Sequence, residues 1–228
     1  MEPSTPTPWF DDVADTVVVD GPDAPVYLQG QVSQEIRDLP VGERRWTFLL
    51  QPTGKIDVLA RLTRTADETF TLETDPGFGE VLLARIDRFK IRVKAETSLI
   101  PGPGADAVTA DAERARIDAG WPRMGAEIVP GENIPAETGV TPLAVNFRKG
   151  CYPGQELVER MDSRGASAPR SLRRLEVVEG ASPGDPVLDA HGAEVGVVTS
   201  VAGTIALGYV KRGVEVGDPV IHEPAPAP

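Results

Sequence analysis

Cys151 is the only cysteine in the chain. It stands in the run Lys149-Gly150-Cys151-Tyr152-Pro153-Gly154-Gln155-Glu156, with Arg148 just ahead. Two cations precede the sulfur and a helix-like run follows it. Positive charge and a helix N-terminus both favour the thiolate, the reactive form of the side chain. A Gly-Pro loop is an odd place to store a hydrophobe and a natural place for an accessible nucleophile. The competing reading is a small packed residue, since free cysteine is often buried and inert. A lone thiol forms no internal disulfide and holds no iron–sulfur cluster by itself, because clusters take several thiolate ligands. His191 and His222 show no ligand spacing, so neither a metal site nor a His–Cys dyad is expected.

The residues around the thiol each carry two readings. Lys149 and Arg148 are either solvated charges or thiolate stabilisers. Gly150 and Gly154 either permit tight turns or let a ligand approach the sulfur closely. Tyr152 is a packing residue or a ligand platform. Gln155 and Glu156 open a helix, where a carboxylate is favourable in any case. Elsewhere, Asp57 falls on the polar face of a strand, and Asn146, Arg160 and Arg164 read as surface residues. Trp46 and Trp121 read as core aromatics, with Trp9 near a loose N-terminus.

The elements that position this loop follow from periodicity. A Val-rich strand over 16–20 is ended by Gly21-Pro22-Asp23, and a helix follows over 24–32. A strand over 45–51 puts Trp46, Phe48 and Leu50 on one face. After the turn Pro52-Thr53-Gly54-Lys55, a strand over 56–65 alternates Ile56, Val58, Ala60 and Leu62 with Asp57, Leu59, Arg61 and Thr63. A further strand spans 69–74. Asp75 then reads as an N-cap and Pro76 as a first helical residue, with Phe78, Val81, Leu82, Ile86 and Phe89 at helical spacing. A strand over 92–97 completes a split β-α-β arrangement with an antiparallel sheet. Pro-Gly-Pro-Gly in the stretch 100–110 reads as a linker, and a short helix over 111–119 stops at Gly120. Short helices are expected around 143–147 and over 155–161. From Ser171 on, short β runs separated by glycine turns predict a small antiparallel barrel.

Composition is that of a globular protein, 40% hydrophobic and 25% charged. Acids outnumber bases 35 to 23, for a net charge of -12, which argues against non-specific nucleic-acid binding but leaves room for a local basic patch. The first residues are neither basic nor apolar, so no signal peptide is expected, and no apolar run approaches a membrane span. The expectation is a cytoplasmic, reduced protein. Both ends are proline-rich.

The order of Gln29-Gly30-Gln31-Val32, Pro52-Thr53-Gly54-Lys55-Ile56, Arg116-Ile117-Asp118-Ala119-Gly120-Trp121-Pro122, the run from Lys149 to Glu156, and Arg164-Gly165 resembles the YgfZ family. These are folate-binding proteins related to the T-protein (aminomethyltransferase) of the glycine cleavage system. The Lys-Gly-Cys-Tyr-x-Gly-Gln-Glu motif is complete and specific; the other pieces are individually weak. The resemblance implies an α+β fold: a split β-α-β (ferredoxin-like) N-terminal lobe over 12–99, a shortened middle α/β segment over 111–166 carrying the cysteine motif, and a C-terminal β-barrel over 170–223. It implies tetrahydrofolate or a derivative as ligand, and a role in iron–sulfur protein assembly or repair linked to tRNA modification. Cys151 would be the functional thiol within the motif residues Lys149, Gly150, Tyr152, Gly154, Gln155 and Glu156. Asp57, Asn146, Glu156 and Arg164 would be folate-binding candidates, with Glu156 accepting from pterin N–H groups and Arg164 pairing with a glutamate tail. Partners would be iron–sulfur client or assembly proteins, with no direct nucleic acid and no membrane, and the chain would be a monomer.

Two departures from the family pattern bear on activity. The α/β stretch that usually follows the strand at 92–97 is reduced here to a Pro-Gly linker. Where the T-protein carries Gly-Gly-x-x-Asp-Asp, with the second aspartate as the apparent catalytic carboxylate, this chain has Val58. Valine neither accepts nor relays a proton, so a folate-dependent one-carbon transferase is the alternative rather than the leading reading. A scaffold that has lost folate binding is a third.

Overall fold

A computed structural model describes residues 10–163, 168–220 and 222. Strands β1 (Asp15–Asp20), β2 (Arg44–Leu50), β3 (Ile56–Arg64), β4 (Thr69–Thr74) and β5 (Glu96–Ile100) form one sheet in the order β2-β3-β4-β1-β5, antiparallel at every step. β4 and β5 both oppose β1 from either side, so they run parallel to each other. Helix α2 (Gly79–Asp87) joins them, which makes a split β-α-β unit with β1 inserted. Helix α1 (Ala24–Gln29) is shorter than expected, because the chain turns at Gly30 and Val32 bridges to Leu49 at the edge of β2. β5 starts at Glu96 rather than Arg92, where a φ of 58° bends the backbone.

Both faces of this sheet are covered. Val58, Ala60 and Leu62 join Leu28, Leu82 and Ile86 beneath the helices. Phe48, Leu50 and Leu59 point the other way and pack with Trp121, Met124, Ile128, Tyr152 and Val158. Double coverage explains the consecutive buried residues Phe48, Leu49 and Leu50, which one-sided alternation does not produce. The second cover comes from the middle of the chain, which contains α3 (Ala110–Asp118), α4 (Thr141–Ala144) and α5 (Gln155–Ser163). Thr109 caps α3 by accepting from the Ala112 N–H at 3.1 Å, and Gly120 ends it at φ 69°.

The C-terminal strands β6 (Arg170–Glu176), β7 (Pro186–Leu188), β8 (Glu194–Ala202), β9 (Ile205–Lys211) and β10 (Asp218–Pro219) pair in the order β10-β6-β9-β8-β7. This is an open sheet and not the expected barrel. Its two edge strands have only two and three residues and do not pair with each other. Closure needs tilted, staggered strands all the way round.

A buried ionic centre joins this sheet to the rest. Arg116, on α3, donates to Glu127 at 2.9 Å, to Glu113 at 2.7 and 2.8 Å, and to Ser200 on β8 at 2.8 Å. Glu127 also accepts from Thr199 at 2.8 Å and Ser200 at 2.6 Å. Burial works against the Arg116 charge, but Glu113 and Glu127 more than offset it, and its pKa is raised.

Asp75 borders this centre and is not the cap of α2. The helix begins at Gly79 after Phe78, and the Asp75 carboxylate accepts from the Met124 N–H at 2.9 Å. Burial pushes Asp75 up from 3.8 to about 6, while the Met124 N–H, Arg116 and Arg123 pull it down. The sign follows from linkage. The neutral acid is the favoured form in the fold, so its contribution is complete below about pH 3.8 and is lost as pH rises through about 6. Asn keeps the acceptor for Met124. Asp75→Asn is therefore expected to exceed the parent in stability by about 3 kcal/mol near pH 8 and nearly to match it near pH 4. Urea denaturation at both pH values checks this, and a gap that does not change with pH refutes it.

Candidate functional site

The cysteine loop is anchored through Lys149. Its ammonium is buried and donates to three backbone carbonyls, those of Gln29 at 2.7 Å, Gln34 at 3.2 Å, and Val32. It also lies 5.1 Å from the centre of the Tyr152 ring. Lys149 is thus not a surface charge: its ammonium is engaged by the α1–β2 connection. Burial pushes its pKa down from 10.5 to about 8, with Glu35 pulling upward and Arg37 downward. Glu35 is itself held near 2, chiefly by the Arg37 side chain.

The same connection grips the residues ahead of the loop. Buried Ser33 donates from Oγ to the Ala144 carbonyl at 2.7 Å, and its own carbonyl accepts from the Asn146 N–H at 3.0 Å. The Gln34 amide donates to the Leu143 carbonyl at 2.9 Å. Asn146, a ligand candidate by resemblance, uses Oδ1 to accept from the Arg148 N–H at 2.8 Å, which shapes its own turn. Tyr152 is buried in the core, and burial raises its pKa to about 12. Between these two buried anchors, Lys149 and Tyr152, the Cys151 side chain is exposed.

The far side of the loop rests on the β2–β3 turn. Gly154 has φ 81°, and a Cβ there would come within 2.4 Å of the Gln51 carbonyl oxygen. Its glycine is therefore required by packing of backbone on backbone. Gly150 meets nothing within 4 Å of an added Cβ. Gln155 turns back to accept from the Tyr152 N–H at 2.8 Å. Glu156 is exposed in the first turn of α5, and Leu157 covers Gly54.

That turn also leads into Asp57. Asp57 is not a freely solvated side chain: it accepts from Gln51 Nε2 at 2.8 Å and lies 3.2 Å from Arg85 Nε. Arg85 is buried and donates to the Leu50 carbonyl at 2.9 Å and to Gln31 at 3.1 Å. Arg85 and Gln31 were not expected at this site. No local signal marks Arg85, which reaches Asp57 from α2 only through the fold, and Gln31, in the run Gln29–Val32, joins Asp57 only by way of Arg85. Arg164 lies outside the described residues. An apolar groove of about 430 Å3 runs beside α5, lined by Pro135, Phe147, Leu157, Val158 and Met161 among others. Cys151, Asp57, Asn146 and Glu156 do not line it.

The fold is similar to that of the glycine cleavage system aminomethyltransferase T from Bartonella henselae. The TM-score is 0.73 at 19% identity, over 87% of this chain and 76% of that one. In sequence, the chain is 27% identical over 232 residues to the tRNA-modifying protein YgfZ of Serratia proteamaculans, covering 73% of this chain and 70% of that protein. It is 33% identical over 115 residues to the human mitochondrial iron-sulfur cluster assembly factor IBA57, covering 48% of this chain and 32% of the factor. The chain thus spans about a third of the human relative's length in that match. No family model matches the chain. These likenesses bear out the resemblance to YgfZ-type proteins, related to the aminomethyltransferase. No helix among the described residues is long and apolar enough to cross a membrane.

Proposed function

We propose that this chain is a tetrahydrofolate-binding accessory factor for the assembly or repair of iron–sulfur proteins, with an arm in tRNA modification. One observation carries the reading: a single exposed sulfur stands between two buried anchors on a loop whose backbone is fixed. A fixed, open thiol suits engagement of a partner or a sulfur species. The relatives' names supply the iron–sulfur and tRNA contexts. In this reading the lobes are 12–99, 111–166 and 170–223, the last an open sheet.

The chemistry of the donor set fits a pterin. Its amino and ring N–H groups need acceptors, and Glu156 offers an exposed carboxylate next to Leu157, which covers Gly54 of the turn leading into Asp57. Bound there, a tetrahydrofolate would supply a one-carbon carrier. Val58 is fully buried among apolar side chains, so the chain has no carboxylate there to drive aminomethyl transfer.

Cys151→Ala is expected to fold normally and to fail to restore iron–sulfur enzyme activity in cells lacking the native gene. Full restoration overturns the role of the thiol. Calorimetric titration of the parent with tetrahydrofolate is expected to saturate; an absence of heat supports the folate-free scaffold instead.

A further inference from the structure

After α2 the chain reads Arg88-Phe89-Lys90-Ile91-Arg92-Val93-Lys94. Four cations in seven residues stand out in a protein of net charge -12. Lys90 is engaged internally, 3.0 Å from Asp87 and donating to Thr97 at 2.7 Å. Arg88, Arg92 and Lys94 are exposed, and among the described residues no carboxylate pairs with their side chains. The acids nearby are otherwise placed. Asp87 holds Lys90, Asp23 accepts from the Lys94 backbone N–H at 2.8 Å, and Glu96 begins β5. Ile91 falls midway along this run and is 78% exposed. Arg92 holds φ 58°, a left-handed conformation that few non-glycine residues adopt. Phe89 and Val93 turn inward against the core, which leaves Arg88, Ile91, Arg92 and Lys94 on the outside. An exposed isoleucine in a run that also exposes Arg88, Arg92 and Lys94 suits a contact surface rather than a packing one.

We infer that the 88–94 loop docks on the phosphate backbone of RNA. The inference rests on the tRNA arm of the reading above and names the surface that arm would use. Guanidinium matches phosphate in a two-pronged geometry, and lysine adds a point charge. Such contacts position a nucleic acid without reading its sequence. The net acidity of the rest of the protein disfavours the same polyanion, so contact is favoured where exposed cations cluster in sequence, as they do at 88–94. An anionic membrane is the weaker fit, because one isoleucine buries too little apolar area to anchor a protein.

The test is fluorescence anisotropy of labelled bulk tRNA with the intact protein across a salt series. About three phosphate contacts predict a roughly twenty- to forty-fold loss of affinity between about 50 and 200 mM salt. The triple variant Arg88→Gln, Arg92→Gln, Lys94→Gln should lose both the binding and the salt slope, and Lys211→Gln on β9 should keep them. The proposal is overturned if tRNA fails to bind the parent at about 50 mM salt. It is also overturned if the triple variant binds tRNA as well as the parent. Flotation of the parent with phosphatidylserine vesicles, together with indifference to tRNA, overturns it in favour of a membrane. Complementation of iron–sulfur enzyme activity reads the accessory role separately, so either idea can fail alone.

Discussion

Arg116→Met is expected to cost about 3–5 kcal/mol of stability, the typical result of breaking a buried ion pair by removing one partner. The reason lies in what is left behind. The Glu127 side chain is fully buried, and two of the donors to its carboxylate are the Arg116 guanidinium and the Arg123 N–H. Without Arg116, Glu127 is an uncompensated charge between α3 and β8, and Glu113 loses its two closest donors. A loss of this size is roughly a fifth or more of the stability of an ordinary domain. Adding Glu127→Gln to the Arg116→Met protein should recover part of the loss, because it removes the stranded charge and keeps an acceptor for Ser200 and Thr199. Urea midpoints for the parent, both single variants and the double variant decide the matter. A single variant within about 1 kcal/mol of the parent, or a double variant less stable than Arg116→Met, refutes this account.

This centre shows where sequence reading stops. Arg116 was visible as part of a recognisable run, but nothing near it in the chain announces Ser200 or Glu127. The ends of α3 were legible, because Thr109 and Gly120 act within one helical turn. So was the apolar side of β3, because period-2 alternation is local. Asp57 shows the converse limit. Alternation put it on the polar face, while its partner Arg85 arrives from α2 through the tertiary fold. The barrel failed in the same way. Glycine turns marked the short strands, but closure depends on whether the first and last strands meet, which local composition does not encode. At the candidate site, the loop and the accessible thiol were legible. The destination of Lys149 was not, because its three acceptors belong to the connection after α1.

Lys149→Met is the experiment that separates a held thiol from a merely exposed one. The substitution keeps the length of the stem and removes the donors, which leaves the carbonyls of Gln29, Val32 and Gln34 without the ammonium. Loss of hydrogen bonds to a charged group is worth about 2 kcal/mol, so opening of the loop should become roughly thirty times more frequent. Amide hydrogen exchange across 146–152 should accelerate by that factor, with strands β1 and β3 unchanged. Iron–sulfur complementation should fall with it even though Cys151 remains. The pH dependence reads a separate quantity, the cost of burying the charge that the three carbonyls only partly offset. Burial lowers the Lys149 pKa from 10.5 to about 8, so the closed loop binds fewer protons than the open one between those values. Raising the pH across that window therefore favours the closed loop in the parent. Exchange corrected for its intrinsic rate should slow there in the parent and stay flat in the variant. Equal exchange in the two proteins at neutral pH would show that Tyr152 and the Asn146 turn hold the sulfur without help from the ammonium.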